Sequence, residues 1–207
     1  MKKILFVNAC VRGESSRTLR LAKVFLNELA DALPECEILE QDLTWMGLRS
    51  VDMQALVRKE ALCDQHAWDD PLFAPTLQFQ QADLVIIAAP YWDMSFPSIL
   101  KVWVENMYVR NLTFKYFNDQ SVGLCKGREA VYITTAGSPI GEYDWGTGYI
   151  RDVMKVLGIP GFTAIKAEAL DLAGRDVNEI MAEAEKQARI QAKEVAQRLE
   201  QCSSATR

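Results

Sequence analysis

Five short apolar runs, each too brief for a helix, alternate along the chain with longer stretches whose apolar residues recur at helical spacing. The runs are 3–7, 37–43, 83–89, 130–134 and 162–167, and they read as buried strands. The spacing predicts helices over 16–33, 98–109, 149–157 and 176–201. The stretch 44–81 is less regular and reads as two helices, 52–63 and 72–81, split by the turn Asp69-Asp70-Pro71. Parallel neighbours need crossover connections, so this alternation closes as a parallel sheet with helices on both faces. The expected fold is α/β, a three-layer sandwich around a five-stranded parallel sheet of order 2-1-3-4-5. Residues 1–207 are expected to form a single domain without internal repeats, with 203–207 a frayed tail.

Composition removes several classes of function. The net charge of −5 lacks the basic excess of a nucleic-acid binder, so no nucleic-acid partner is expected. The apolar run nearest the start, 4–7, is too short for a signal core, and 84–90 falls far below the ~20 residues of a membrane span. Five widely spaced cysteines without a C-x-x-C fit a reducing compartment, and the expected location is cytoplasmic. A single histidine, His66, excludes a histidine metal cluster, and no metal is expected.

Ligands of an open parallel sheet sit beyond the carboxyl ends of its strands, where the strand order reverses. Here the loops after strands one, three and four meet that description, and each has unusual composition. The first carries Ser15, Ser16, Arg17 and Thr18 into the start of a helix, a natural phosphate site. A plain helix cap by Ser15 or Ser16 is the alternative. Neither a Walker A nor a G-x-G-x-x-G motif is present. The second loop sets Tyr91 and Trp92 between Pro90 and Pro97, suited to stacking on a flat ring unless both rings turn into the core. The third, Thr134-Thr135-Ala136-Gly137-Ser138, is small and polar and lets backbone approach a ligand closely.

The segment Pro90-Tyr91-Trp92-Asp93-Met94-Ser95-Phe96-Pro97 through Leu100-Lys101-Val102-Trp103 resembles the P-x-[YW]-x-x-x-x-P-x-x-[LM]-K-x-[WY] segment of the flavodoxin-like NAD(P)H:quinone oxidoreductases and FMN-dependent NADH-azoreductases. Thr113-Phe114-Lys115-Tyr116 is similar to that family's T-F-[RK]-Y, and the spacing from the first strand to Ser16-Arg17-Thr18 also matches. The resemblance implies an enzyme with FMN as cofactor and NAD(P)H as co-substrate. It would reduce quinones or azo compounds by ping-pong hydride transfer, with the flavin rather than a side chain doing the chemistry. It also implies a homodimer, with Cys10, Ser16, Arg17 and Thr18 at the phosphate. Pro90, Tyr91, Trp92, Asp93 and Met94 would line one side of the ring, and Thr135, Ala136, Gly137 and Ser138 the other. The chain departs from the family's common serine at Cys10, asparagine at Asp93 and Arg-Gly at Ala136-Gly137. Met94, Phe117 and Trp145 are candidates for an apolar acceptor wall, and Tyr116 or Tyr143 for help in proton transfer.

Two rivals use the same loops. A flavodoxin-type electron carrier would shield its flavin behind a strongly acidic docking face, and −5 is mild for that. A cysteine phosphatase would need C-x5-R after the first strand, whereas Cys10 to Arg17 is C-x6-R.

Overall fold

A computed structural model describes residues 1–204, with side chains through residue 201. Residues 205–207, the end of the expected frayed tail, lie outside the described residues. The described chain runs β1 (Lys2–Asn8), α1 (Arg17–Ala32), β2 (Cys36–Asp42), α2 (Met53–Asp64), α3 (Ala74–Gln81) and β3 (Leu84–Ala88). It continues through α4 (Ser98–Met107), β4 (Phe114–Phe117), β5 (Gln120–Gly123), β6 (Glu129–Thr135), α5 (Trp145–Val156), β7 (Gly161–Ala167) and α6 (Val177–Ser204). Five strands form one parallel sheet in the order β2-β1-β3-β6-β7. The labels depart from 2-1-3-4-5 only because the antiparallel ribbon β4-β5 stands between the third and fourth sheet strands.

Alternate side chains of each strand build two cores. Ile4, Phe6, Leu84, Ile86, Val131 and Ile133 pack under α1 and α6. Their neighbours Leu5, Val7, Val85, Ile87, Ala130 and Tyr132 pack on the opposite face against α3, α4 and α5. The central strand β3 is buried along its whole length. Each buried Leu or Ile there contributes about 1.5–3 kcal/mol relative to exposure.

Helix α1 starts where the Ser16 hydroxyl accepts the Leu19 N–H at 3.3 Å. Its apolar stripe, Leu19, Ala22, Phe25 and Leu29, recurs every three or four residues and faces α6 and the sheet. Pro34 prevents its continuation. Buried alanines 184, 188, 192 and 196 let α6 lie close over it. Lys193–Glu28 (3.0 Å) and Arg20–Glu185 (2.7 Å) pair the charged margins.

Two features depart from expectation. The ribbon β4-β5 turns at Asn118-Asp119, with φ 48° and 58°. Both residues tolerate the left-handed region, which makes the tight turn possible without glycine. Helix α5 begins at Trp145, a turn earlier than Tyr149, because the Asp144 carboxylate accepts the Thr147 N–H at 3.0 Å. Gly146 and Gly148 hide that first turn in the sequence. Gly146 is needed there, since a Cβ would press within 3.3 Å of Ser95 backbone and the Tyr132 hydroxyl.

Candidate functional site

The three loops singled out in the sequence meet at the carboxyl edge of the sheet, joined by backbone and side-chain bonds. Tyr91 N–H donates to Thr135 O at 2.9 Å, which ties the loop after β3 to the end of β6. Thr18 and Thr135 share a hydroxyl–hydroxyl bond of 2.7 Å, which ties α1 to the same strand. Tyr91 Oη donates to Tyr143 O at 2.9 Å. Partial burial, then the charges of Asp144 and Glu168, raise that phenol's pKa, so it stays a donor.

Between them lies a cleft of about 70 Å³, room for several waters or a phosphate-sized group. Arg12 and residues 15–18 line it from the first loop, Pro90 from the second, and residues 135–137 from the third. Only the Leu19 N–H is capped by Ser16. The first-turn N–H groups of Arg17 and Thr18 find no acceptor among the described residues. Ser16 therefore is the helix cap, and it also lines the cleft.

The loop after β3 carries strain. Trp92 and Ser95 exchange backbone bonds of 3.3 and 2.8 Å around Asp93 and Met94, whose φ values are 50° and 62°. Two non-glycine residues in the left-handed region persist only where the surroundings hold them, and such turns cluster at ligand sites. Trp92, Asp93 and Met94 are exposed at the rim, not turned into the core. Beyond that, α5 is seated by Lys166–Asp144 at 2.5 Å. Burial alone would raise the Asp144 carboxyl, but its bonds to Lys166 and Thr147 outweigh it and hold the pKa below the usual value.

Cys10 is placed differently from the phosphate role assigned to it. It does not line the cleft, and its thiol reaches Ala88 O at 3.6 Å. Its N–H donates to Asn8 Oδ1 at 3.0 Å, and its carbonyl takes the Gly13 N–H. Its thiol also meets the side chain of the cleft-lining Ser16, so Cys10 braces the loop. Burial pushes the thiol up to about 11, opposite to the lowered pKa that a cysteine nucleophile needs. Ser138 is exposed beside the cleft without lining it.

Two lining residues escaped the sequence. Leu170 and Asp171 come from the connection after β7, which bonds back through Leu170 N–H to Ala136 O (3.1 Å) and Asp171 N–H to Gly137 O (2.8 Å). Its nine residues, 168–176, exceed the about 2–6 usual for a strand-to-helix turn, and that length was the available signal.

A second, more apolar groove of about 610 Å³ lies between α2, α4, α5 and β4. Leu56, Val104, Phe114, Tyr116 and Tyr149 line it. The Tyr149 ring meets Phe96 of the strained loop's flank at 5.6 Å. Of the candidate acceptor residues it includes Tyr116, but not Met94, Phe117 or Trp145. Trp103 and Met107 are core, and His66 is on the surface.

The chain is an open doubly wound α/β protein whose helix start and aromatic loop meet at the switch point, the place where sheets of this kind take their ligands. The chain belongs to the flavodoxin-like fold family, whose model matches residues 2–192. It is 36% identical over 200 residues to FMN-dependent NADH:quinone oxidoreductase 2 of Clostridium acetobutylicum, covering 94% of this chain and 100% of that one. The FMN-dependent NADH:quinone oxidoreductase of Coprothermobacter proteolyticus is 33% identical over the same shares. Among solved structures, an FMN-dependent NADH-azoreductase from Bacillus anthracis in complex with FMN superposes with TM-score 0.82 at 24% identity. That likeness covers 95% of this chain and 100% of that chain and carries the fold.

Proposed function

We infer that the protein is an FMN-dependent NAD(P)H oxidoreductase that reduces quinones or azo compounds in two alternating half-reactions. The convergence of an unsatisfied helix start, a strained aromatic loop and a small-residue turn on one cleft carries this reading. The residues present fit FMN. Around the start of α1 the cleft offers two backbone N–H groups, the Ser16 hydroxyl and Arg12, a donor set for a dianionic phosphate, while the Ser15 hydroxyl donates to Arg12 O at 2.8 Å. The enclosed volume admits that phosphate, and the flat ring would lie over the open rim between Trp92 and Gly137. When bound, FMN supplies hydride acceptance from the nicotinamide and hydride delivery to the acceptor.

The chain's part is placement. The backbone N–H groups of Asp93 and Met94 would face the ring's polar edge, those of Tyr91 and Trp92 being taken by Thr135 O and Ser95 O, with Trp92 and Met94 as walls. The N–H groups of Gly137 and Ser138, with no acceptor among the described residues, would stabilise negative charge at the opposite edge. Of the two tyrosines, Tyr116 and not Tyr143 lines the apolar groove. A flavodoxin-type carrier would have less use for such a groove, and both relatives above are named as oxidoreductases.

The reading extends to assembly. Trp92, Met94, Tyr116, Phe117, Tyr143 and Trp145 are all exposed, which favours a homodimer that covers them. No helix among the described residues is long and apolar enough to cross a membrane, and the described cysteines are free, in keeping with a cytoplasmic protein acting as one domain. An absorption spectrum tests the core claim. Purified protein should be yellow or take up added FMN, and should oxidise NADH only when a quinone is present. A colourless chain that ignores FMN ends the proposal.

A further inference from the structure

Two arginines line the anion cleft, and the structure treats them differently. Arg12 makes no ion pair among the described residues. Arg17 is held twice by the connection after β7: Nη1 donates to Leu170 O at 2.9 Å and Nη2 to Asp171 Oδ1 at 2.6 Å. The other Asp171 oxygen reaches the third loop, where a Cβ added to Gly137 would stand 2.3 Å from it. One carboxylate therefore spans from the start of α1 to the small-residue turn, inside a cleft whose other groups are anion donors.

Its backbone is pinned in place. Asp171 N–H and Leu170 N–H both bond to the third loop, and Ala169 just before them adopts φ 64°. The side chain is not needed to close the loop, since these backbone bonds already do so. A negative charge so placed neutralises Arg17 and repels an incoming phosphate. An unphosphorylated ligand of the same ring would feel neither effect.

We propose that Asp171 is a positioning residue that restrains the Arg17 guanidinium and thereby limits how strongly the site prefers a phosphorylated flavin over an unphosphorylated one. The proposal rests on the flavin reading above and deepens it. Asp171→Asn keeps shape and backbone bonds while removing the charge. It frees Arg17 for the phosphate.

Dissociation constants of FMN and riboflavin, measured by flavin fluorescence on the apoprotein, test this. The FMN-to-riboflavin preference should widen by about tenfold in Asp171→Asn, equal to about 1.4 kcal/mol, and the gain should shrink with added salt. It should shrink to the part owed to the carboxylate's own repulsion of phosphate when Arg17→Gln is combined with Asp171→Asn, as expected for two coupled sites. A ratio within about twofold of wild type overturns the proposal, as does an equal loss of both ligands, the mark of a merely structural residue. The same widening in an Arg17→Gln background overturns it too. Wild-type protein that binds neither ligand refutes the flavin reading itself, and this proposal with it.

Discussion

The two ends of the parallel sheet handle polar groups in opposite ways. At the amino end, Glu129 opens β6 almost completely buried, yet every acceptor it offers is used. Arg198 of α6 grips it with bonds of 2.6 and 2.9 Å, and Thr163 of β7 adds one of 2.7 Å. At the carboxyl end, the first turn of α1 and the turn after β6 keep N–H groups without partners among the described residues, and two residues sit in strained backbone. The first end consumes its polar groups internally and closes the fold. The second leaves them for a ligand, at a cost in stability.

This contrast breaks if stability and binding respond alike at both ends. The largest effect is expected from Arg198→Met. Removing one partner of a fully buried pair costs about 3–5 kcal/mol. Here Arg198 is half exposed, which lowers the expected loss to about 2–3 kcal/mol in denaturant unfolding. FMN affinity should be unchanged. A parallel loss of FMN affinity would show that the two ends are not separable.

Ser16→Ala should act the other way round. It removes one bond to a charged ligand, worth about 1.5–3 kcal/mol of FMN binding by titration. Its capping bond contributes only about 1 kcal/mol to the melting curve. Next, Met94→Gly relieves a left-handed residue, a gain of about 1–2 kcal/mol partly offset by glycine entropy of about 0.5–1 kcal/mol. A rise of a few degrees in Tm, with weaker flavin binding, would confirm strain held for the ligand. A fall in Tm, with the glycine entropy uncompensated, would mean the turn is not strained.

The smallest effect sharpens the picture through pH. The folded Asp144 carboxyl lies below its ordinary value of 3.8, so its contribution is complete above that pH. It is lost as pH falls through the lower folded value. Melts between pH 2 and 5 should show a steeper acid loss in wild type than in Lys166→Met, which lacks the ion pair. Equal slopes would assign the shift to another partner.

Much of this architecture is legible in residue order. Strand and helix spacings set the layers, and five strands in this alternation suit the order 2-1-3-4-5. Ser16, Arg17, Thr18, Pro90, Thr135, Ala136 and Gly137 stand out in the sequence and share one cleft. The ribbon was not legible, because Asn118-Asp119 is a weaker hairpin signal than a glycine-containing turn. The inward turn of Cys10 was not legible either. Its position after β1 is the same whether the thiol points to ligand or to Ala88.

The sequence by itself determined the periodicities, because alternation and helical spacing are local properties that a chain carries wherever it folds. The tertiary structure alone decided which distant residues share the cleft. Arg17 and Asp171 are 154 positions apart, and only the packing of β7 beside β6 brings the two side chains within 2.6 Å. No local pattern encodes that meeting, since it depends on the closure of the whole sheet between them.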